Sequence, residues 1–245
     1  MTTRNNTKSL GLQDHEIATL RRYPWLLKEF VANLAAEDNK NTFFRPLRDD
    51  ELPKQYHEVL EKWRRLAQAH QYTGPVAWHV RNGYSLKEHP LWWIKGDRYR
   101  EVAIQYNWAF DLKYDEPTRL CIVFWIPRLL IGTTGLVTTQ QRTVLEKTRK
   151  EYGLPEHHLS SFGSATLIAG LLYEYDKIDA SWEYTVQTET LTDSRCAGGG
   201  FMNVYVDTQK WCKSNNTNPR TLYLASGASR GPNVGVFPLG IENLI

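Results

Sequence analysis

Near the carboxy-terminal third, Glu183, Thr185, Gln187 and Glu189 recur at every second position, with Asp193 and Arg195 in the loop beyond them. On a strand this spacing places two carboxylates, a hydroxyl and an amide along one face. Two carboxylates can divide acid and base roles when burial or mutual repulsion separates their pKa values. Glu183, Glu189, Asp193 and Arg195 are therefore the candidate catalytic residues of a transferase or hydrolase. The same alternation also describes a solvent-facing strand opposite buried Trp182, Tyr184 and Val186, which is the simpler reading.

A second group is aromatic. Trp63, Trp78, Trp92, Trp93, Trp108 and Trp125 crowd into one part of a chain with 9 Trp and 13 Tyr. Most such rings belong in a core, where each buries a large area. The segment from Trp78 to Trp108 also carries His79, His89, Asp97 and Arg98, and flat rings beside polar groups suit sugars, nucleobases or a partner's side chains. On a strand, adjacent Trp92 and Trp93 point to opposite faces, leaving one for solvent, a loop or a partner. Trp92, Trp93, His89, Asp97 and Arg98 are thus the candidate ligand-binding set. The leading expectation is a non-enzymatic binding or interaction module for an unidentified protein or small-molecule ligand.

Other motifs fail in context. Gly227-Ala228-Ser229-Arg230-Gly231 spells GxSxG, but Pro232, Gly235 and Pro238 exclude the helix that a nucleophile elbow requires. No His follows Ser229, so the hydrolase order of Ser, acid and His is impossible. Gly198-Gly199-Gly200 reads as a hairpin connection. His157 and His158 are expected to diverge on an exposed loop after Pro155, and neither HExxH nor paired CxxC occurs, so no metal and no cofactor is expected. Gln187-Thr188-Glu189 resembles the Gln-x-Glu signature of ADP-ribosyltransferases. That family also requires an early-strand Arg and a Ser-Thr-Ser segment, for which Ser160-Ser161 and Ser164-Ala165-Thr166 are poor substitutes, so three residues assign no family.

The elements that must position these groups change character near Gly74-Pro75. From Gln13 to His70 the apolar spacing is helical, with Tyr56, Val59, Leu60, Trp63 and Leu66 lining one face behind Pro53 and a capping Asp49 or Asp50. Beyond the seam the rhythm is that of strands: Val102 to Trp108 alternates, Cys121 to Ile126 is apolar throughout, and Trp182 to Thr188, Phe201 to Val206, Thr221 to Ala225 and Val234 to Phe237 follow. Two covering helices are predicted, one at Thr139 to Tyr152 and one after Ser164 through Leu167, Ile168, Leu171, Leu172 and Tyr175. The expected fold is α+β, a helical amino-terminal third packed with a mixed, largely antiparallel sheet. Residues 1–9 are read as a flexible tail, 10–74 as the helical segment and 75–245 as a strand-rich portion continuous with it.

Composition limits the rest. A net charge of +3, with basic runs interleaved with Glu, is too mild for a nucleic-acid footprint, which leaves nucleic-acid binding by the basic helices before residue 70 as a minor alternative. The longest apolar stretch, Cys121 to Ile131, is interrupted by Pro127 and Arg128, so no membrane span is expected. Cys121, Cys196 and Cys212 suggest reduced thiols and a soluble, cytoplasmic protein.

Overall fold

Apolar residues three and four apart give helix α1 (His57–Ala69) its buried side, formed by Leu60, Trp63, Leu66 and Ala67. The computed structural model describes residues 43–86, 102–104, 116–178, 189–195, 201–207, 221–226 and 234–244. The sequence pattern predicts this helix, but not its start. A 3-10 turn, Lys54–Tyr56, follows Pro53, and no side chain caps α1. Asp49 and Asp50 pair instead with Arg64 and Arg48. The continuous 3-10 turn already occupies the first amides, leaving these carboxylates to charge-assisted bonds with guanidinium groups.

Two further helices are described, α2 (Thr138–Tyr152) and α3 (Ala165–Ile178), both where the spacing predicts them. Ser164 accepts a hydrogen bond from Leu167 N–H at 3.1 Å and so caps α3. The strands are β1 (Phe44–Pro46), β2 (Ala77–Val80), β3 (Val102–Ile104), β4 (Cys121–Trp125), β5 (Glu189–Arg195), β6 (Phe201–Asp207), β7 (Thr221–Ser226), β8 (Val234–Gly235) and β9 (Leu239–Asn243). The fold is α+β, but the strands form two sheets where one was expected. The first runs β1-β2-β4-β9 and is antiparallel throughout; the second runs β3-β7-β6-β5-β8, with parallel pairs at its two ends.

Strand β4 is central, and every one of its residues is buried. Alternation sends Ile122 and Phe124 to one side and Val123 and Trp125 to the other. On the first side Trp63 of α1 stacks on Phe124, with ring centres 6.1 Å apart. On the second, Tyr175 of α3 meets both Trp78 and Trp125 edge-on. Helix α3 contacts β1 of the first sheet and β5, β6 and β7 of the second. Having neighbours in both sheets explains why Leu167, Ile168, Ala169, Leu171, Leu172 and Tyr175 are all buried. Gly170 permits this approach, because a Cβ there would collide with the Phe44 ring.

Some expectations need correction. Phe44–Pro46 lies in the stretch read as helical but forms an edge strand, and Phe44 packs edge-on against Tyr84. Asp193 and Arg195, expected in a loop, belong to β5. Buried Thr190 and Ser194 make this polar segment a strand. The Thr190 hydroxyl accepts from Phe237 N–H at 3.1 Å, and the Ser194 hydroxyl accepts from Ala165 N–H at 2.9 Å. Trp78 and His79, included in the aromatic segment, are both buried. The expected helices before residue 43, the strand Trp182 to Thr188 and the Gly227 to Gly231 motif lie outside the described residues. Among the described residues, no helix is long and apolar enough to cross a membrane.

Candidate functional site

A cleft of about 640 Å³ opens at one end of the first sheet. Thr118 fixes one wall: its hydroxyl donates to the Arg81 carbonyl at 2.6 Å and accepts from Tyr84 N–H at 3.0 Å. This clamp ties the chain after β2 to the chain before β4 and leaves Asn82, Glu116 and Arg119 exposed at the cleft. The opposite wall is the turn before α3, with Ser161 and Ser164; Asn243 of β9 is also at the cleft. Cys121, Leu167 and Ile241 contribute apolar surface. Glu116 and Arg119 have no ion-pair partner among the described residues, so both charges are available to a bound molecule.

The chemistry of two cleft groups is restricted by their surroundings. Burial pushes the Cys121 thiol up to about 12, so at neutral pH it is protonated and a poor nucleophile. Asp193, the candidate catalytic residue that reaches the cleft, uses both carboxylate oxygens for structure. Oδ2 accepts from Phe162 N–H at 2.8 Å, and Oδ1 accepts from Arg142 at 2.9 Å. The same arginine lies over the Phe162 ring, 4.4 Å from its centre. Asp193 thereby fastens β5 to α2 and to the turn before α3. Asp193→Ala is expected to lower stability by about 1–3 kcal/mol by leaving a buried amide without an acceptor. Urea denaturation checks this, and an unchanged midpoint would remove Asp193 from that structural role.

A second cluster lies on the α1 side of the sheet. His157 and His158 were expected to diverge on an exposed loop, but their rings meet edge-on with centres 4.6 Å apart, and both Nε2 atoms lie 3.0 Å from Glu242 Oε1. His157 is exposed, whereas His158 is wholly buried. The reason is packing: Trp63 donates its indole N–H to His158 Nδ1 at 3.0 Å, and Phe124 lies beside the same imidazole. Gly240 leaves room for that ring, since a Cβ there would sit 2.7 Å from it. Leu159 completes the turn with φ at 52°, a value rare for leucine, and its N–H is held by the Leu239 carbonyl at 2.9 Å.

These contacts assign the His158 proton. An indole N–H only donates, so Nδ1 accepts and the neutral ring carries its proton on Nε2. Nε2 is near Glu242 but off the line that a good hydrogen bond needs. Burial pushes His158 below the ordinary imidazole value, and the Glu242 carboxylate offsets this only in part. For Glu242 burial acts upward, but the two histidines outweigh it and hold the carboxyl below its ordinary range.

The chain matches no protein-family model, and comparisons with curated proteins and solved structures found no match. Trp92, Trp93, His89, Asp97, Arg98 and Glu183 lie outside the described residues, and of Glu189 and Arg195 only the strand pairing is described. Among the residues whose side chains are described, Asp193 is the one member of the predicted set at the cleft, together with Asn82, Glu116, Arg119, Ser161 and Asn243. No spacing could have revealed that group, because its members are scattered over five separate segments and meet only in the fold. His157-His158 did offer a signal in their adjacency, but Glu242 offered none.

Proposed function

We propose that this protein binds a small polar organic molecule in the cleft between Arg119 and Ser161, without catalysing a reaction on it. The supporting observation is the lining: a guanidinium, two carboxylates, two side-chain amides and three hydroxyls surround an apolar patch in a space of about 640 Å³. Pockets of about 300–1,000 Å³ with a few convergent polar groups are the usual size for such ligands. The ligand class is one with both donors and acceptors and an anionic or strongly accepting end for Arg119. Binding is a better reading than group transfer because the Asp193 carboxylate is committed to Phe162 and Arg142, while the Cys121 thiol is protonated. A cytoplasmic setting, and further contacts from the aromatic segment around Trp92 and Trp93, belong to the same proposal.

The test is thermal denaturation of the full chain against a panel of sugars, nucleosides and amino acids. A compound is expected to raise the melting temperature of the wild type by an amount that grows with its concentration. Asn243→Trp, a substitution at an exposed position, should fill the cleft and abolish that shift while leaving the unliganded melting temperature nearly unchanged. Equal shifts in wild type and Asn243→Trp would place the ligand elsewhere and overturn the assignment.

A further inference from the structure

We propose that His157, His158 and Glu242 form a site for a divalent transition-metal ion of the zinc class. Their ligating atoms all lie within 4.8 Å of one another, and one Glu242 oxygen is 3.0 Å from both Nε2 atoms. Ligands at about 2.1 Å from a shared centre are separated by about 3.4 Å at the tetrahedral angle and about 3.0 Å at right angles, so both nitrogen–oxygen spacings fit a centre holding the three groups on one face at near-right angles. The off-line approach of Glu242 to buried His158 Nε2 has the same explanation: groups arranged around a common centre do not point at one another. Two imidazoles and one carboxylate suit zinc or ferrous iron and leave positions open to water, here on the exposed His157 side.

The surrounding residues define both the site's rigidity and its cost. Gly240, the Leu159 turn and Phe124 fix the His158 ring, so this ligand is preorganised. Trp63 opposes loading. A cation at Nε2 displaces the proton held there; if the imidazole stays neutral, that proton moves to Nδ1 and faces the Trp63 N–H. The hydrogen bond is then lost, and a stranded buried donor lowers affinity by about ten- to a hundredfold. Trp63 therefore restricts the site to strongly binding ions and keeps harder, oxygen-preferring cations out.

Isothermal titration of the full chain with Zn²⁺ tests the proposal, and the visible spectrum of the Co²⁺-loaded chain reports the ligands. One equivalent of Zn²⁺ is expected to bind, with affinity reduced about tenfold or more by His157→Ala and by Glu242→Gln. His157 is exposed, so its loss should leave the fold intact. Trp63→Phe, which removes the competing donor, should tighten binding by about tenfold. The Co²⁺ bands should shift in His157→Ala. Absence of stoichiometric binding, or equal Zn²⁺ affinity in wild type and His157→Ala, would overturn the site. Neither readout depends on the cleft, so failure here is distinguishable from failure of the proposed ligand binding.

Discussion

Trp63→Ala should lower the stability of the protein by about 3–5 kcal/mol, as expected when a buried large aromatic is truncated to Ala. Trp63 is completely buried on the inner face of α1, stacked on Phe124 and hydrogen-bonded to His158. The alanine variant leaves a cavity between α1 and the first sheet, and strands the His158 Nδ1 acceptor there. Domains are stable by only about 5–15 kcal/mol, so this one change would remove a large share. Trp63→Phe keeps a ring over Phe124 and should lose less, with the indole hydrogen bond and part of the packing gone. The urea midpoint at constant slope reads both variants. Ile131→Ala is the control, because Ile131 is 70% exposed and its truncation should change little. A Trp63→Ala midpoint as close to wild type as that of Ile131→Ala would mean that α1 is not fastened to the sheet through Trp63.

The elements that were legible in the sequence are those whose period records burial. The threes and fours of Leu60, Trp63 and Leu66 give α1, and unbroken apolarity from Cys121 to Trp125 gives a strand covered on both faces. Those patterns are one-dimensional projections of a single packed face, so they survive without knowledge of the partner. β5 has no strand signal beyond Glu189 because Thr190, Thr192 and Ser194 are polar yet buried, and at least two of their hydroxyls serve backbone amides of distant segments. Satisfaction by a remote amide has no local signature. The same limitation hid the two clusters. Asp193 looked chemically free until Phe162 and Arg142 were placed beside it, and His158 looked exposed until Trp63, 95 residues away in sequence, supplied its partner. Glu242 follows Pro238, Gly240 and Ile241 in a short strand with no clean alternation, and is tied to the histidines only by the pairing of β9 with β4.

Acidification should destabilise the protein in two steps, the upper one set by His158 and the lower by Glu242. The imidazole of His158 has an ordinary value of 6.5 and is held lower in the fold, chiefly by burial. Below about pH 6.5 the unfolded chain therefore takes up a proton that the folded chain refuses, and stability falls with pH until the depressed folded value is passed. Above that range neither state is protonated, and His158 contributes no slope. Glu242 has an ordinary value of 4.5 and is also held lower; its stabilising effect is complete above that value and is lost as pH falls through the folded one. Both groups thus give stability that rises with pH, the His158 window opening as pH falls through 6.5 and the Glu242 window as it falls through 4.5. His158→Gln offers Trp63 an amide oxygen while removing the titration, so the difference between wild-type and variant curves should isolate the upper step from the other histidines. Glu242→Gln should remove the lower step. Urea midpoints measured from about pH 7.5 to about pH 2.5 decide the matter. Parallel curves for wild type and His158→Gln across the upper window would show that burial does not hold His158 neutral, and the proton assignment on Nε2 would fall with it.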